Sequence, residues 1–443
     1  ILTHLKGMKS AWQSALATDR VLWQGEPYLA IVAESRAQAE DAAELVETDW
    51  EELPALVEKE HALDEEAPIL HPELGDNLCW ERLIETPGID ELFSSADHVT
   101  EHEFEVKRQT AVCLETRTII ADYNKSLHHL TVHLSTQVPH MMQYLLSKHL
   151  NLKEADVRVI AQDVGGSFGA KIHCYGDEMA TAALSILVGR PIKHVADRLE
   201  SFVSDVHSRD HKIKVRLAFS EDGEFKAWDM DDLSGAGPYS VYPRGSANEC
   251  KQIVNLVGGP YKTSDYRGRT RLVFLNLNTL GQYRAVGHPV ACLVTEGIVD
   301  MAAREIGMDP VEIRKKNFIP EDSYPFQRPS GTQIERLSNQ ECLKSLIDLM
   351  NYHSLREEQL LYRKKGCYRG IGIASFIEMS NPSSATYGVG GVPVSSQDGC
   401  SLKLTPSGAV VCSISICEFG QGANVMVKQI VASTLGINVD DVR

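Results

Sequence analysis

The stretch Gln162-Asp163-Val164-Gly165-Gly166-Ser167-Phe168-Gly169-Ala170-Lys171 sets three glycines directly after an apolar, strand-forming run. Glycine leaves backbone amides bare and tolerates positive φ, so such a loop lets an anionic ligand approach the main chain closely. A Walker phosphate loop is excluded, because Ala170 stands where its second glycine belongs and Ile172 follows the lysine. Taken alone, the pattern also suits an ordinary strand-to-helix connection. Three further segments carry groups suited to holding a polar ligand: Ser135-Thr136-Gln137, Gly281-Gln282-Tyr283-Arg284-Ala285-Val286-Gly287 and Glu418-Phe419-Gly420-Gln421-Gly422.

The elements that must position these segments are mixed α and β. Tyr28 to Ala33 reads as a strand, Arg36 to Leu45 as a helix, and Val46 to Glu51 alternates again before Pro54, which makes a small α+β unit. From His61 to Gly88, Glu, Pro and Asp dominate with little periodicity, so a surface connection is expected there. Val99 to Val106, Leu130 to Leu134 and Val157 to Ala161 read as strands and Met141 to His149 as a helix. Asp177 to Val188 has an acidic start and stops at Gly189 with Pro191 beyond, the signature of a capped helix. Asp222-Gly223 joins two strand-like runs as a hairpin turn. A helix from Val294 to Glu305 is followed by Asp309-Pro310, an N-cap before a first-turn proline. Pro320 to Asn339 reads as a second connection, Glu341 to Met350 as a helix, and Ile371 to Ile377 and Val410 to Ile416 as strands of a further domain.

At 443 residues the chain exceeds what one core serves, and 43% hydrophobic with 24% charged residues is an ordinary globular balance. A net charge of −17 argues against a nucleic-acid footprint, and no apolar run approaches the roughly 20 residues of a membrane span. The ten cysteines include no Cys-x-x-Cys pair. They form neither an iron–sulfur nor a zinc site by spacing, and reduced thiols in a cytoplasmic protein are the expectation.

The four segments, in this order, resemble the molybdenum-binding subunit of the xanthine dehydrogenase and aldehyde oxidase family of molybdenum hydroxylases. Val21-Leu22-Trp23-Gln24-Gly25-Glu26-Pro27, with Ala39-Glu40-Asp41-Ala42 and Glu51-Glu52-Leu53-Pro54, is similar to the smaller domain that precedes the family's cofactor region. The resemblance runs from about Thr18 to Arg443. It implies an α+β, mixed α/β architecture: a small N-terminal α+β domain over 1–62, a connecting segment over 63–94, a first molybdopterin-binding domain over 95–320 and the start of a second over 340–443, incomplete at both ends. It also implies molybdopterin, in some members a dinucleotide, carrying a molybdenum that inserts oxygen from water into an electrophilic C–H bond. Gln137 matches the glutamine whose neutral amide donates to a metal oxo ligand. Phe168 and Gly169 match the pair whose backbone amides reach the metal and pterin, with Gly165 and Gly166 permitting the approach. Arg284 matches the arginine beside the metal centre, and Gln421, between Gly420 and Gly422, matches the glutamine that bonds the pterin or its phosphate. No side chain is expected to ligate the metal directly.

Departures from the family pattern bear on the substrate. Purine-oxidising members carry a carboxylate where Ile172 stands, and an arginine where a loose local alignment places Gln252. Val286 occupies a substrate-lining place often held by an aromatic residue. Carbon monoxide-oxidising members place a cysteine just after the arginine, where this chain has Ala285 and Val286. An aldehyde, an N-heteroaromatic ring or an aromatic acyl thioester remains. The family's general-base glutamate is expected beyond Arg443. Glu115, Glu178 and Glu418 lie near the motifs but outside the matching context, and His140, His173 and His288 read as structural residues. Electron transfer is expected to run through 2Fe-2S and FAD groups on partner subunits, since Gly235-Ala236-Gly237 lacks the third glycine of a dinucleotide fingerprint at Ser240. A C-terminal molybdopterin-binding polypeptide is a further expected partner, without which the chain should be inactive. The competing reading is a non-catalytic binding or assembly module that kept the fold without the metal.

Overall fold

In the computed structural model, which describes residues 5–242, 245–379 and 398–443, two sheets and the helices packed on them carry the candidate residues. The larger sheet sets Leu78–Glu85 (β1), Asp265–Phe274 (β9), Phe225–Gly237 (β8), His211–Phe219 (β7) and His98–Val106 (β2) side by side. All neighbours are antiparallel except β8 and β9, which are parallel. Strand periodicity is visible in β7, where Ile213, Val215 and Leu217 are buried and Lys214 between them is exposed. Gly223, at φ +81°, makes the turn into β8 as expected from Asp222-Gly223. Helices Asn248–Leu256 (α6), His288–Glu305 (α7) and Pro310–Asn317 (α8) close this sheet, burying Ile253, Val294, Ile298 and Ile313 with Trp228 and Tyr266. Each such large apolar side chain contributes roughly 1.5–3 kcal/mol.

The smaller sheet orders Val157–Ile160 (β5), His129–Leu134 (β4), Thr118–Asn124 (β3) and Ile192–Val195 (β6), with β4 and β5 parallel and the other pairs antiparallel. Pro139–His149 (α3) and Gly176–Val188 (α4) pack on it through Met142, Leu146 and Ala182. Gly189 ends α4 in the left-handed region, and the Asp309 side chain caps α8 at Val311 N (2.8 Å). Further helices among the described residues are Arg36–Glu44 (α1), Ile89–Ser95 (α2), Arg198–Ser204 (α5), Asn339–Met350 (α9) and Tyr352–Lys364 (α10). Near the end, Cys400–Leu404 (β10) and Val410–Ile414 (β11) form an antiparallel hairpin before helix Ala423–Leu435 (α11).

Four sequence expectations differ from this outcome. The stretch read as a connection from 61 to 88 contains β1, because its charges are an exposed face with cross-strand partners: Arg269 Nε donates to Glu81 at 2.7 Å while Cys79 and Trp80 are buried. Strands β3 and β6 of the smaller sheet and β9 of the larger one have no counterpart among the strands expected from sequence. The strands expected at 28–33 and 46–51 have no ladder among the described residues, although the two runs touch through the Tyr28 and Trp50 rings, 5.1 Å apart. Ile371 to Ile377 is likewise no strand, since Ser375 N donates to Glu296 Oε2 (2.8 Å) on α7 and not to a neighbouring strand.

Candidate cofactor-binding site

The parallel pairing of β4 with β5 brings the carboxyl ends of both strands to one edge, the place where ligands of open α/β sheets bind. Ser135-Thr136-Gln137 leaves β4 there and the 162–169 loop leaves β5. Lys171 O joins them by accepting from Gln137 N (3.1 Å) and Thr136 Oγ1 (3.1 Å). Gln137 Oε1 accepts from Ser167 Oγ and from Gly169 N (3.1 Å). With its oxygen so committed, the carboxamide has one orientation. No acceptor among the described residues takes its Nε2.

Tight packing holds the loop itself. Gly166, Phe168 and Gly169 have φ of +93°, +52° and +103°, and Phe168 is 44% exposed. A side chain at Gly165 would meet Glu115 Cβ at 2.5 Å, and one at Gly169 would meet Gln282 O at 2.8 Å. Lys171, 3% exposed, donates to Glu115 Oε2 (2.9 Å), which also accepts from Gly165 N (2.7 Å) and Ser135 Oγ (2.9 Å). The lysine charge is therefore neutralised within the loop's base.

The 281–287 segment meets the loop through Arg284 N, which donates to Phe168 O at 2.8 Å. Ala285 and Val286 both have positive φ, +69° and +52°. Arg284 is exposed and stands, with Tyr283, Gln109 and Leu293, in a cleft of about 490 Å³. The substrate-pocket residues expected from sequence lie elsewhere than on this cleft's wall. Val286 is buried, Ile172 sits half-buried in the 3-10 turn after the loop, and Gln252 Oε1 accepts from Gly287 N (2.8 Å), so it supports the Arg284 loop.

The fourth segment is tethered to the first three by Val164 N, which donates to Glu418 O (3.0 Å). Its polar groups are largely spent on one another. Glu418 Oε1 accepts from Gly420 N and Gly422 N (both 3.0 Å), and Oε2 accepts from Asn424 N (3.1 Å). Gln421 Nε2 donates to Cys417 O and its Oε1 accepts from Phe419 N, both at 2.8 Å. The reason is that the start of α11 presents unpaired N–H groups, and the nearest carboxylate occupies them.

None of the three glutamates near the motifs is a ready base. Burial pushes the Glu115 carboxyl up, but hydrogen bonds from Lys171, Gly165 and Ser135 outweigh it, so it stays ionised below the usual range. The amides of Asn424, Gly422 and Gly420 hold Glu418 below its ordinary value. Burial raises Glu178 to about 8 against the pull of Arg117, yet it lies in the first turn of α4, in the Arg117–Asp177 cluster, where Arg117 Nη1 is 3.8 Å away. His173 and His288 are structural here: His173 Nε2 accepts from Gln282 N (3.0 Å), and His288 Nδ1 lies 2.9 Å from Ala285 O. His140 is exposed in the first turn of α3.

A neutral amide with a fixed orientation, bare loop backbone and an exposed guanidinium make a donor set that suits an anionic organic cofactor. Residues 70–318 match the molybdopterin cofactor-binding domain model, and residues 345–443 match a second molybdopterin cofactor-binding domain model. The chain belongs to the molybdopterin cofactor-binding domain family. Among relatives of this family member, the nicotine 6-hydroxylase large subunit of Paenarthrobacter nicotinovorans is 30% identical over 99% of the chain and 53% of its own length. The carbon monoxide dehydrogenase large chain of Afipia carboxidovorans is 30% identical over 97% of the chain and 56% of its own length. The solved structure of quinoline 2-oxidoreductase from Pseudomonas putida 86 superposes with a TM-score of 0.94 at 30% identity, over 99% of this chain and 56% of that one. The chain thus spans about half the length of the curated relatives it matches.

Two residues that organise the site went unread in the sequence. Arg209 and Glu249 underlie the Arg284 loop, and the available signal was Arg209-Asp210-His211, three titratable residues at the mouth of an alternating strand.

Proposed function

We propose that this chain is the cofactor-binding part of the large subunit of a molybdenum hydroxylase, an oxidoreductase taking its oxygen from water. The observation that carries this reading is the Gln137 carboxamide, pinned through Oε1 by Ser167 and Gly169, with its Nε2 unclaimed beside the left-handed loop. Molybdopterin, when bound, would supply a metal that accepts two electrons from the substrate. Gln137 would orient the group through a neutral N–H, Phe168 and Gly169 would face it with backbone, and Arg284 would balance its negative charge. Gly420, Gln421 and Gly422 would contact it only where their present internal bonds open.

The substrate classes are an aldehyde, an N-heteroaromatic ring or an aromatic acyl thioester. The names of the nicotine and quinoline relatives support the heteroaromatic ring. Ala285 and Val286 after Arg284 argue against carbon monoxide in spite of the dehydrogenase relative, and Ile172 argues against a purine. Because Glu115, Glu178 and Glu418 are committed elsewhere, the proton acceptor would come from a C-terminal polypeptide. Iron–sulfur and flavin subunits would complete the electron path, and the lone chain would be inactive. Ten free thiols support a reducing, cytoplasmic setting.

Measuring molybdenum and pterin in the complex purified from its native host tests the proposal. Stoichiometric metal with turnover of an aldehyde or N-heteroaromatic supports it. Absence of both metal and pterin would leave a binding module that kept the fold.

A further inference from the structure

Behind the Arg284 loop lies a buried line of alternating charge, whose Arg209 end also lines the cleft. Arg209, Glu249, His211 and Asp232 are 4%, 1%, 0% and 0% exposed. Asp232 Oδ1 is 2.9 Å from His211 Nδ1, and its Oδ2 accepts from Thr270 (2.8 Å). His211 Nε2 lies 3.8 Å from Glu249 Oε2, which accepts the Arg209 backbone N–H at 3.0 Å. Glu249 Oε1 accepts from the Arg209 guanidinium. That guanidinium then reaches the loop: Nη1 donates to Val286 O, Nη2 donates to Arg284 O at 3.0 Å, and Cζ lies 5.3 Å from the centre of the Tyr283 ring. Burial would discharge His211, but Asp232 and Glu249 hold its pKa up to about 10, so the alternation of sign is complete from Arg209 to Asp232.

The backbone on both sides of this contact is strained. Arg209 and Asp210 have φ of +72° and +73°, facing Ala285 and Val286 at +69° and +52°. For β-branched Val286 the left-handed region is costly, so the loop keeps that shape only where its surroundings enforce it. A backbone bond from Gly281 N to His207 O (2.7 Å) and the Ser208 hydroxyl donating to Gly281 O (2.8 Å) hold the entrance to the loop; past them His288 takes Ala285 O, and the Arg209 fork takes the carbonyls of Arg284 and Val286.

We infer that Arg209 is a positioning residue: its fork fixes the carbonyls of Arg284 and Val286 and thereby the placement of Arg284 in the cleft, with Glu249, His211 and Asp232 holding the fork in place. Arginine suits this role because its planar donors bond two acceptors at fixed spacing, which a lysine ammonium does not reproduce. The inference borrows from the proposed function only the purpose of the loop. The clamp is tested without it.

Arg209→Lys in the native complex keeps the charge and removes the fork. Hydrogen exchange of peptides covering 281–288 should accelerate about tenfold or more, while peptides from β8 and β9 keep their wild-type rates. In the same preparation kcat should fall about 10- to 100-fold at unchanged KM. Glu249→Gln, which keeps the shape and discharges the partner, should give a smaller acceleration in the same peptides and serves where Arg209→Lys does not accumulate. Unchanged exchange at 281–288 in the variant obtained, or equal acceleration in β8 and β9, overturns the inference and makes Arg209 a general core contact. A wild-type complex without molybdenum would defeat the proposed function and leave the exchange result standing.

Discussion

Gly169→Ala separates what the loop needs sterically from what any left-handed glycine needs. At φ +103° an alanine is strained, which costs about 1–2 kcal/mol. Its Cβ would also stand 2.8 Å from Gln282 O, 3.1 Å from Gln282 C and 3.4 Å from Tyr283 Cα. That backbone has little room to retreat, because Gln282 N donates to His173 Nε2 and Arg284 N donates to Phe168 O. Such overpacking adds about 1–3 kcal/mol, for a total of about 2–5 kcal/mol. Gly189, at φ +68° with nothing within 4 Å of an added Cβ, is the control, and alanine there carries the conformational term alone. At roughly 1 °C per kcal/mol for a chain of this length, the Tm of G169A should lie about 1–3 °C below that of G189A. The loop must also move, so molybdenum per chain should drop in G169A and hold in G189A. Calorimetry and metal analysis of the two purified complexes read both quantities. Coincident Tm values with equal molybdenum content would refute the close approach of loop and Arg284 segment.

Gln137→Ala should reduce kcat by roughly 10- to 1000-fold, the range for one preorganised donor, with a smaller loss of metal; wild-type kcat in a molybdenum-replete variant would remove Gln137 from the site. For Glu178, burial lifts the folded pKa to about 8, above the ordinary 4.5, so the stability linked to its proton is present below that ordinary value and fades as pH rises through 8. Glu178→Gln mimics the protonated carboxyl and should raise Tm by about 2–5 °C at pH 8.5 with no change at pH 4.5, and equal shifts at both values would refute the assignment. Visible absorption of the native complex should include an iron–sulfur component, and a spectrum without one would count against the proposed partner subunits.

Legibility followed the range of the interactions. Helix α4 was readable because its acidic start and Gly189 stop are local, and the α8 cap because Asp309 reaches only to Val311. Strand β1 was hidden because its exposed face is charged, and only the arginines of β9 opposite explain those charges. The Gly-rich loop announced itself through glycines that positive φ and close packing do require. In the Gly-Gln-Gly turn, by contrast, residue types suggested free donors where the fold pairs Glu418 with them. Composition names the donors near a site; the fold decides which are already engaged.

The Arg284 loop shows where sequence reasoning gives out. Nothing about Ala285 and Val286 announces left-handed backbone, since neither is a residue that favours it. The conformation depends on Arg209, 75 positions before Arg284, whose own placement depends on Glu249, 40 positions after it. Each of these residues alone is an unremarkable charge, and any one of them on a surface would be worth little. Buried together they have no low-energy alternative to one another, because an arginine or carboxylate losing its partner there would be left uncompensated in a dry interior. That coupling transmits the geometry of the larger sheet to the 281–287 segment, and the bond from Arg284 N to Phe168 O carries it on to the Gly-rich loop of the smaller one. Together with the bond from Gln282 N to His173 Nε2, this contact joins the two separately packed sheets where both contribute residues to the candidate site.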